Sequence, residues 1–319
     1  MKKIIFLWTI CILSMTSTSV FSHETLSMKQ ETLSMKEVAT GIFVHQGKHL
    51  DVDDGYQGDI CNIGFIIGQK SVAVIDTGGS ASMGYALLSE IKKRTSLPVK
   101  YVINTHVHLD HIYGNIAFKE EGAKFIGHEN LTKAMKLREE FYKGLNLKYL
   151  NIPYEKSIQI PPNLLVKVTQ PLEIDLGDRL LKITAYPTAH TDTDVTIEDY
   201  KTSTLWTGDL LFAERTPVVD GDIHGFINAI DSMSQVKFNL LIPGHGTPTL
   251  KPNIAWNNIR RYLVTLRDDI RAAIDEGLDL QMAIDNIAKE ESSNWELFDI
   301  QNGRNINMIY PKMEWEEVE

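Results

Sequence analysis

A layered α/β fold with a helical extension at its C-terminus is what the sequence predicts, on three observations. Short β-rich runs bounded by glycines alternate with helix-spaced segments through the first half of the chain. Polar, histidine-rich residues gather where several of those runs stop, the place where open α/β sheets carry their sites. From residue 256 to 289 helical spacing dominates. With 319 residues, 43% of them hydrophobic, the chain can bury a real core as one large domain or two smaller ones, which argues against disorder.

The first residues stand apart from that fold. Lys2 and Lys3 lead into the apolar run IIFLWTICIL and then SMTSTSVFS, the pattern of a secretory leader occupying residues 1–22 and cut before His23. The run is shorter than the roughly 20 apolar residues that a bilayer span needs. A periplasmic or secreted protein with no stable membrane anchor is therefore expected. Residues 23–37 repeat ETLSMKQ as ETLSMKE; two copies are too few for a repeat architecture and read as a spacer. Removal of the leader takes Cys11 with it and leaves Cys61, which then has no internal disulfide partner. In DICNIGFIIG it reads as a small buried hydrophobe. The net charge of −10 argues against retention on nucleic acid by phosphate neutralisation.

From about Val38 to residue 250 the main domain is expected. GIFVHQG, NIGFIIG and SVAVIDTGG read as strands. SMGYALLSEIKKR reads as a helix, with Met83, Ala86, Leu87 and Ile91 on one face and basic residues in its last turns. VKYVINT follows as a strand, and AFKEEG, AKFIGHE and residues 130–143 continue the alternation as helix, strand and helix. VKVTQPLEIDLGDRLLKITAYPTAH and TSTLWTGDLLF read as antiparallel strands. Residues 251–319 form the extension, with two amphipathic helices in IRRYLVTLRDDIRAAIDEGLDLQMAIDNIA and Gly277 ending the first. Its stripe of Leu263, Leu266, Ile270, Ala273 and Ile274 is expected in the core, and Trp295, Phe298 and Trp315 are expected to anchor the tail.

The chemistry concentrates in NTHVHLDHIYGN, residues 104–115. In extended or loop backbone, residues two apart point the same way, so His106 and His108 can converge on one ion. Asp110 and His111 fall beyond, aimed at a second position. Imidazole and carboxylate donors suit zinc, and three protein ligands plus a water describe a catalytic zinc site. The same donors accept iron and manganese, so ligand type alone leaves all three open. Further candidates are His190 in PTAHTDTD, Asp209 at the end of a strand in WTGDLLF, and His245 in IPGHGTP. Gly208, Gly244 and Gly246 would let backbone come close to a metal. The loop KHLDVDDGYQGD, with Asp51, Asp53 and Asp54, reads as a solvated acidic loop, and His45, His49 and His128 read as ordinary histidines. His224, Arg215 and Asp220, in FAERTPVVDGDIHG, are candidates to line a substrate site.

The ordered set THVHLDH, AHT, TGD and PGHG, with VIDTGG before it, resembles the metallo-β-lactamase superfamily. The resemblance implies a four-layer αβ/βα sandwich carrying a metal pair at one edge of two facing sheets. It implies that His106, His108 and His190 hold the first of two zinc ions, and that Asp110, His111 and His245 hold the second. The same resemblance implies that Asp209 bridges them and that Asp76 of VIDTGG holds the metal loop from behind by hydrogen bonds. The implied reaction is hydrolysis of a small-molecule carbonyl-type substrate by a metal-activated water, with Asp110 as the catalytic residue that positions that water and takes its proton. Asp209 stands where many class B β-lactamases carry cysteine.

A closer likeness, to the exported quinoprotein relay system zinc metallohydrolases, rests on VHQGKHLDVDDGYQGDICNIGFIIG, INTHVHLDHIYGN, AHTDTDV and SNWELFDIQNGRNINMIYPKMEWE. It implies an accessory place beside a pyrroloquinoline-quinone-dependent quinoprotein dehydrogenase. Three alternatives share parts of the pattern: a class B-like β-lactamase, a mononuclear iron sulfur dioxygenase, and a non-catalytic periplasmic accessory protein. The side chains that would bind substrate carry no motif.

Overall fold

The computed structural model describes residues 32–316. The leader at 1–22 and residues 23–31 of the spacer lie outside the described residues. The remainder of the second repeat does not stay a spacer, because its last two residues, Lys36 and Glu37, enter the first strand.

Along the chain, β1 (Lys36–Ala39), β2 (Ile42–His45), β3 (Ile63–Ile67) and β4 (Val72–Ile75) lead to α1 (Ala81–Arg94) and β5 (Val99–Ile103). Two short helices follow, α2 (Leu109–Ile112) and α3 (Asn115–Lys119), then β6 (Lys124–His128), α4 (Leu131–Leu150) and β7 (Leu164–Val166). These seven strands form one sheet in sequence order, antiparallel from β1 to β4 and parallel from β4 to β7. The second sheet holds β8 (Leu172–Asp175), β9 (Leu180–Ala185), β10 (Val195–Asp199), β11 (Thr204–Phe212) and, after α5 (Ile223–Ser234), β12 (Leu240–His245). Its order is β12-β11-β10-β9-β8, with only β11 and β12 parallel. The chain ends with α6 (Pro252–Asp275), α7 (Leu280–Asn286) and α8 (Phe298–Glu314).

Period-two burial explains why the sheets face each other. In β4, Ala73 and Ile75 point into the layer between the sheets, and Val72 and Val74 point the other way, toward α1 and α3. In β12, Leu240 and Ile242 face the inter-sheet layer, and Leu241 faces the helices on the far side. Trp206 of β11 fills the inter-sheet layer against Ile66 and Ile183, and Leu205 packs outward. The result is four layers: α1 and α3 on one sheet, and α5, α6 and α8 on the other. The stripe read from α6 behaves as expected, since Leu263, Leu266 and Ile270 join Phe226 and Ile230 of α5 in that outer core.

Three expectations shift. The helix read at 130–143 runs on to Leu150, capped by Asn151 in the left-handed region. Trp295 and Phe298 are buried as tail anchors, but Trp315 is 85% exposed and anchors nothing. Asp209 does not end a strand: β11 continues to Phe212, and its pairing with β12 slips on either side of Gly208.

Candidate metal centre

Loops and strand ends at one rim of the two sheets bring the motif residues together. β5 stops at Ile103, and the chain turns through Thr105 and His106 before the single turn of α2, which has His108 at its N-cap and carries Asp110 and His111. His190 lies in the loop between β9 and β10, and His245 is the last residue of β12. Asp209 emerges at an irregularity in β11, where Gly208 adopts φ +52°; such slips re-aim a side chain that regular pairing would direct elsewhere. A Cβ on Gly244 would stand 1.8 Å from Asp209 Oδ1, so glycine there makes room for the carboxylate.

Two groups of donors share Asp209: His106, His108, His190 and Asp209 form one, and His111, Asp209 and His245 form the other. Cys61, Asp110 and His111 form a third, and in each group the ligand atoms lie within 4.8 Å of each other. Asp209 Oδ2 is 3.4 Å from His190 Nε2, 3.7 Å from His106 Nε2 and 3.3 Å from His245 Nε2, and its Oδ1 is 3.4 Å from His111 Nε2. Asp110 Oδ2 stands 3.4 Å from both His111 Nε2 and His245 Nε2.

These residues fit a metal. The Nε2 atoms of His106 and His111 and the Oδ1 of Asp209 are buried and have no hydrogen-bond partner, a state that costs about 1–3 kcal/mol per group unless something else is bound there. Four donors placed tetrahedrally at about 2.0–2.1 Å from zinc lie roughly 3.3–3.4 Å apart, close to the separations found.

Each histidine is oriented from behind, so that the other nitrogen faces the centre. His111 Nδ1 is 2.8 Å from Asp76 Oδ2, His190 Nδ1 is 2.7 Å from the Val218 carbonyl, and His245 Nδ1 is 2.7 Å from the Ile60 carbonyl. His106 Nδ1 is 3.0 Å from Thr105 Oγ1, whose hydroxyl in turn donates to Asp76 Oδ2 at 2.7 Å. His108 is turned round: Nε2 is 3.2 Å from Asp220 Oδ2 and Nδ1 faces inward, 3.1 Å from His190 Nε2. Asp76 itself has φ +50°, and its Oδ1 accepts the Thr105 backbone N–H at 2.8 Å.

Burial lowers the pKa of His106 well below that of free imidazole and takes His190 down to about 4, which keeps both neutral with lone pairs available. Burial alone would raise Asp110 and Asp209; the facing imidazoles of His111 and His245 overcome it and hold both carboxyls low. His111 shows the converse, for burial opposes its charge but Asp110, Asp209 and Asp76 raise it well above the usual range.

The sequence signature of the family described as the Metallo-beta-lactamase superfamily matches residues 56–273. The chain belongs to the metallo-β-lactamase superfamily. Its His/Asp metal-binding groups are intact. Among solved structures, the metallo-β-lactamase-fold chain is similar to the stereoselective inverting sec-alkylsulfatase Pisa1 from Pseudomonas sp., at TM-score 0.66 and 18% identity over 88% of this chain. It spans only 50% of that alkylsulfatase. A metallo-β-lactamase from Pontibacter korlensis aligns at TM-score 0.56 and 18% identity, covering 73% of this chain and 99% of its own. DIM-1 metallo-β-lactamase aligns at TM-score 0.56 and 18% identity, with 74% and 98% covered. At such identities the likeness is one of fold. No curated protein sequence matches the chain significantly.

Over the centre of this superfamily member lies a cavity of about 450 Å³, with His108, Asp110, Asp209 and His245 among its lining residues. Arg215 and Asp220 line it as expected, but His224 does not; it pairs with Glu316 at 3.3 Å instead. Asp51 is not solvated. It is buried, lines the cavity and forms a two-pronged ion pair with Arg304 of α8 at 2.6 and 2.9 Å. His45 and His128 are buried and hydrogen-bonded, to Asp59 and to the Tyr186 carbonyl. Cys61 is buried as expected, yet its thiol donates to the Asp110 carbonyl at 2.9 Å, directly behind the metal loop. Sequence reasoning missed Arg138, Phe141 and Leu145 of α4 and Arg304, Asn305 and Met308 of α8 as lining residues, although the last three fall in a stretch that carries the closer likeness.

Proposed function

We propose that the protein is an exported binuclear zinc hydrolase that acts on a small-molecule carbonyl-type substrate and serves a quinoprotein dehydrogenase system. The observation that carries the binuclear reading is the Asp209 carboxylate, shared between two buried groups of donors. In this reading His106, His108 and His190 hold one metal, Asp110, His111 and His245 the other, and Asp209 lies between. A bound metal pair supplies Lewis acidity and makes hydroxide available near neutral pH.

The chain's own groups do the rest. Asp110, whose Oδ2 lies 3.4 Å from both His111 Nε2 and His245 Nε2, hydrogen-bonds the attacking water and receives a proton. Asp76, through Thr105 and His111, turns Nε2 of His106 and of His111 toward the metal position. Val218, Val219 and Ile60 wall the cavity and limit bulk water around the reacting bond. Residues 1–22 support export, and the likeness to the quinoprotein relay metallohydrolases supports the dehydrogenase link.

The test is hydrolysis of a panel of esters, lactones, β-lactams and alkyl sulfates by the purified protein, before and after chelation. Turnover abolished by chelator, restored by zinc and lost in Asp209→Ala supports the reading. Oxygen consumption with a persulfide, without any hydrolysis, would replace it with the dioxygenase. Comparison of secreted and cell-bound fractions tests export separately.

A further inference from the structure

His245 enters the donor cluster from the last strand of the second sheet, and much of what holds it comes from the other sheet. β12 ends the strand order of its sheet, so among the described residues no further strand covers its outer side. Backbone carbonyls at such an edge need donors from elsewhere, because a buried carbonyl is costly to leave unpaired. Pro243, Gly244, His245 and Gly246 are all buried. Thr249 folds back to pair with Leu241, but around His245 the donors are Asn62 and Ala213.

Asn62, immediately before β3, supplies most of these bonds. Its Nδ2 donates to the Pro243 carbonyl at 2.8 Å and to the Gly246 carbonyl at 2.7 Å, and its backbone N–H donates to the Gly244 carbonyl at 2.7 Å. The His245 carbonyl accepts from the Ala213 N–H at 2.9 Å. The Asn62 amide has one orientation, because its Oδ1 accepts the Gly47 N–H at 3.2 Å and leaves the nitrogen for the two carbonyls. The side chain is also confined. Asn62 is 2% exposed, and a Cβ on Gly47 would stand 2.4 Å from the Ile60 backbone, so the chain after β2 lies directly on this segment.

The two residues before Asn62 act on the same part of the centre. The Ile60 carbonyl accepts from His245 Nδ1 at 2.7 Å, which turns Nε2 inward, and the Cys61 thiol donates to the Asp110 carbonyl at 2.9 Å. Ring and backbone of His245 are thus fixed separately, the ring by Ile60 and the backbone on either side by Asn62. The first donor group is held by other residues: His106 by Thr105, His108 by Asp220 and His190 by the Val218 carbonyl.

Without the Asn62 amide, the Pro243 and Gly246 carbonyls would be buried with no donor in its place. Gly246, at φ +92°, belongs to a turn that glycine adopts freely, and that turn can shift to bring its carbonyl to water. His245 lies between the two carbonyls and would move with them. A metal site tolerates only about 0.5 Å of displacement in its ligands.

We propose that Asn62 is a positioning residue for the second metal, acting through His245 and leaving the first metal position unaffected. The proposal rests on the binuclear reading above and adds which residue sets the affinity of its second position.

The experiment is stepwise zinc binding by the metal-free full chain, followed by competition with a chromophoric chelator, with urea unfolding of the metal-free forms beside it. His245→Ala identifies the step that belongs to the second position. Asn62→Ala should weaken that step about 10–100-fold, leave the other step within about twofold and stay folded without metal. Asn62→Ser, whose hydroxyl can still donate to one carbonyl, should fall between wild type and Asn62→Ala. A purely structural role would weaken both steps alike or neither, and either result overturns the proposal. Failure of both Asn62 variants to fold without metal would show that these bonds hold the fold rather than the ligand, and would overturn it too. Zinc uptake by the wild type in a single step that His245→Ala leaves unaltered would remove the binuclear reading, and the proposal with it.

Discussion

Replacing Asp76 with asparagine tests how one carboxylate, which lies outside both donor groups, controls two ligands. Its Oδ2 receives the Thr105 hydroxyl at 2.7 Å and His111 Nδ1 at 2.8 Å, and its Oδ1 receives the Thr105 backbone N–H at 2.8 Å. Because the Thr105 hydroxyl donates to Asp76, its oxygen is free to accept from His106 Nδ1. Both imidazoles therefore donate from the far nitrogen and turn Nε2 toward the metal position. An asparagine cannot accept on both sides. With its amide nitrogen toward Thr105 N–H, one donor faces another; with it toward His111, the His111 tautomer reverses and puts a proton where the metal should bind. Asparagine tolerates the positive φ of this position as well as aspartate does, so backbone strain does not confuse the result. Loss of such a partner typically weakens metal binding 10–100-fold, or about 1.4–2.8 kcal/mol. Competition against a chromophoric chelator at fixed pH measures it. An Asp76→Asn protein with wild-type metal affinity and wild-type stoichiometry would refute the reasoning.

Other consequences are open to direct measurement. At saturating zinc, Asp110→Asn should lower kcat by about 10²–10⁴-fold, and unchanged turnover would remove Asp110 from the proton's path. Gly244→Ala places a methyl where Asp209 Oδ1 now sits, so the folded variant should lose at least one bound metal, read by elemental analysis; full loading would show that the carboxylate has room to move. Arg304→Met leaves Asp51 buried without its partner and should cost about 1–3 kcal/mol by urea unfolding at neutral pH, discounted from the fully buried case because Arg304 is 45% exposed on its side chain. Burial pushes the Asp51 carboxyl up, but Arg304 outweighs it and holds the group below its ordinary 3.8. A depressed folded pKa means stability present above the unfolded value and lost as pH falls through the folded one. The gap between wild type and Arg304→Met should therefore close as pH falls below about 4; a gap independent of pH would contradict the pairing.

The donor cluster was legible because most of its residues sit at or just beyond the ends of short β-rich runs, in motifs only a few residues long. His106, His108, Asp110 and His111 share one turn of chain, and His190, Asp209 and His245 each carry a local glycine, threonine or proline context. The strand-end position of Asp209 was misread because TGDLLF gives no sign that β11 continues through a slipped register. The cavity wall was not legible. Arg304 lies 253 residues from Asp51, and no pattern near either residue reports their meeting, so an acidic loop looked solvated. Arg138 and Phe141 fall in the stretch 130–143, read only as a helix, and their part in the cavity follows from where α4 lies beside the metal loop. His224 was drawn toward the site by its nearness to Asp209 in sequence, but Asp222 caps α5 just before it and the helix carries it away to Glu316.

Metal content of the full chain, purified without chelator or added metal and measured by elemental analysis, bears most directly on the shared carboxylate. Two zinc ions per chain, falling to one or none in Asp209→Ala, are expected if Asp209 joins two donor groups. One iron per chain, or a wild-type protein that stays empty when zinc is added, would contradict a binuclear zinc hydrolase.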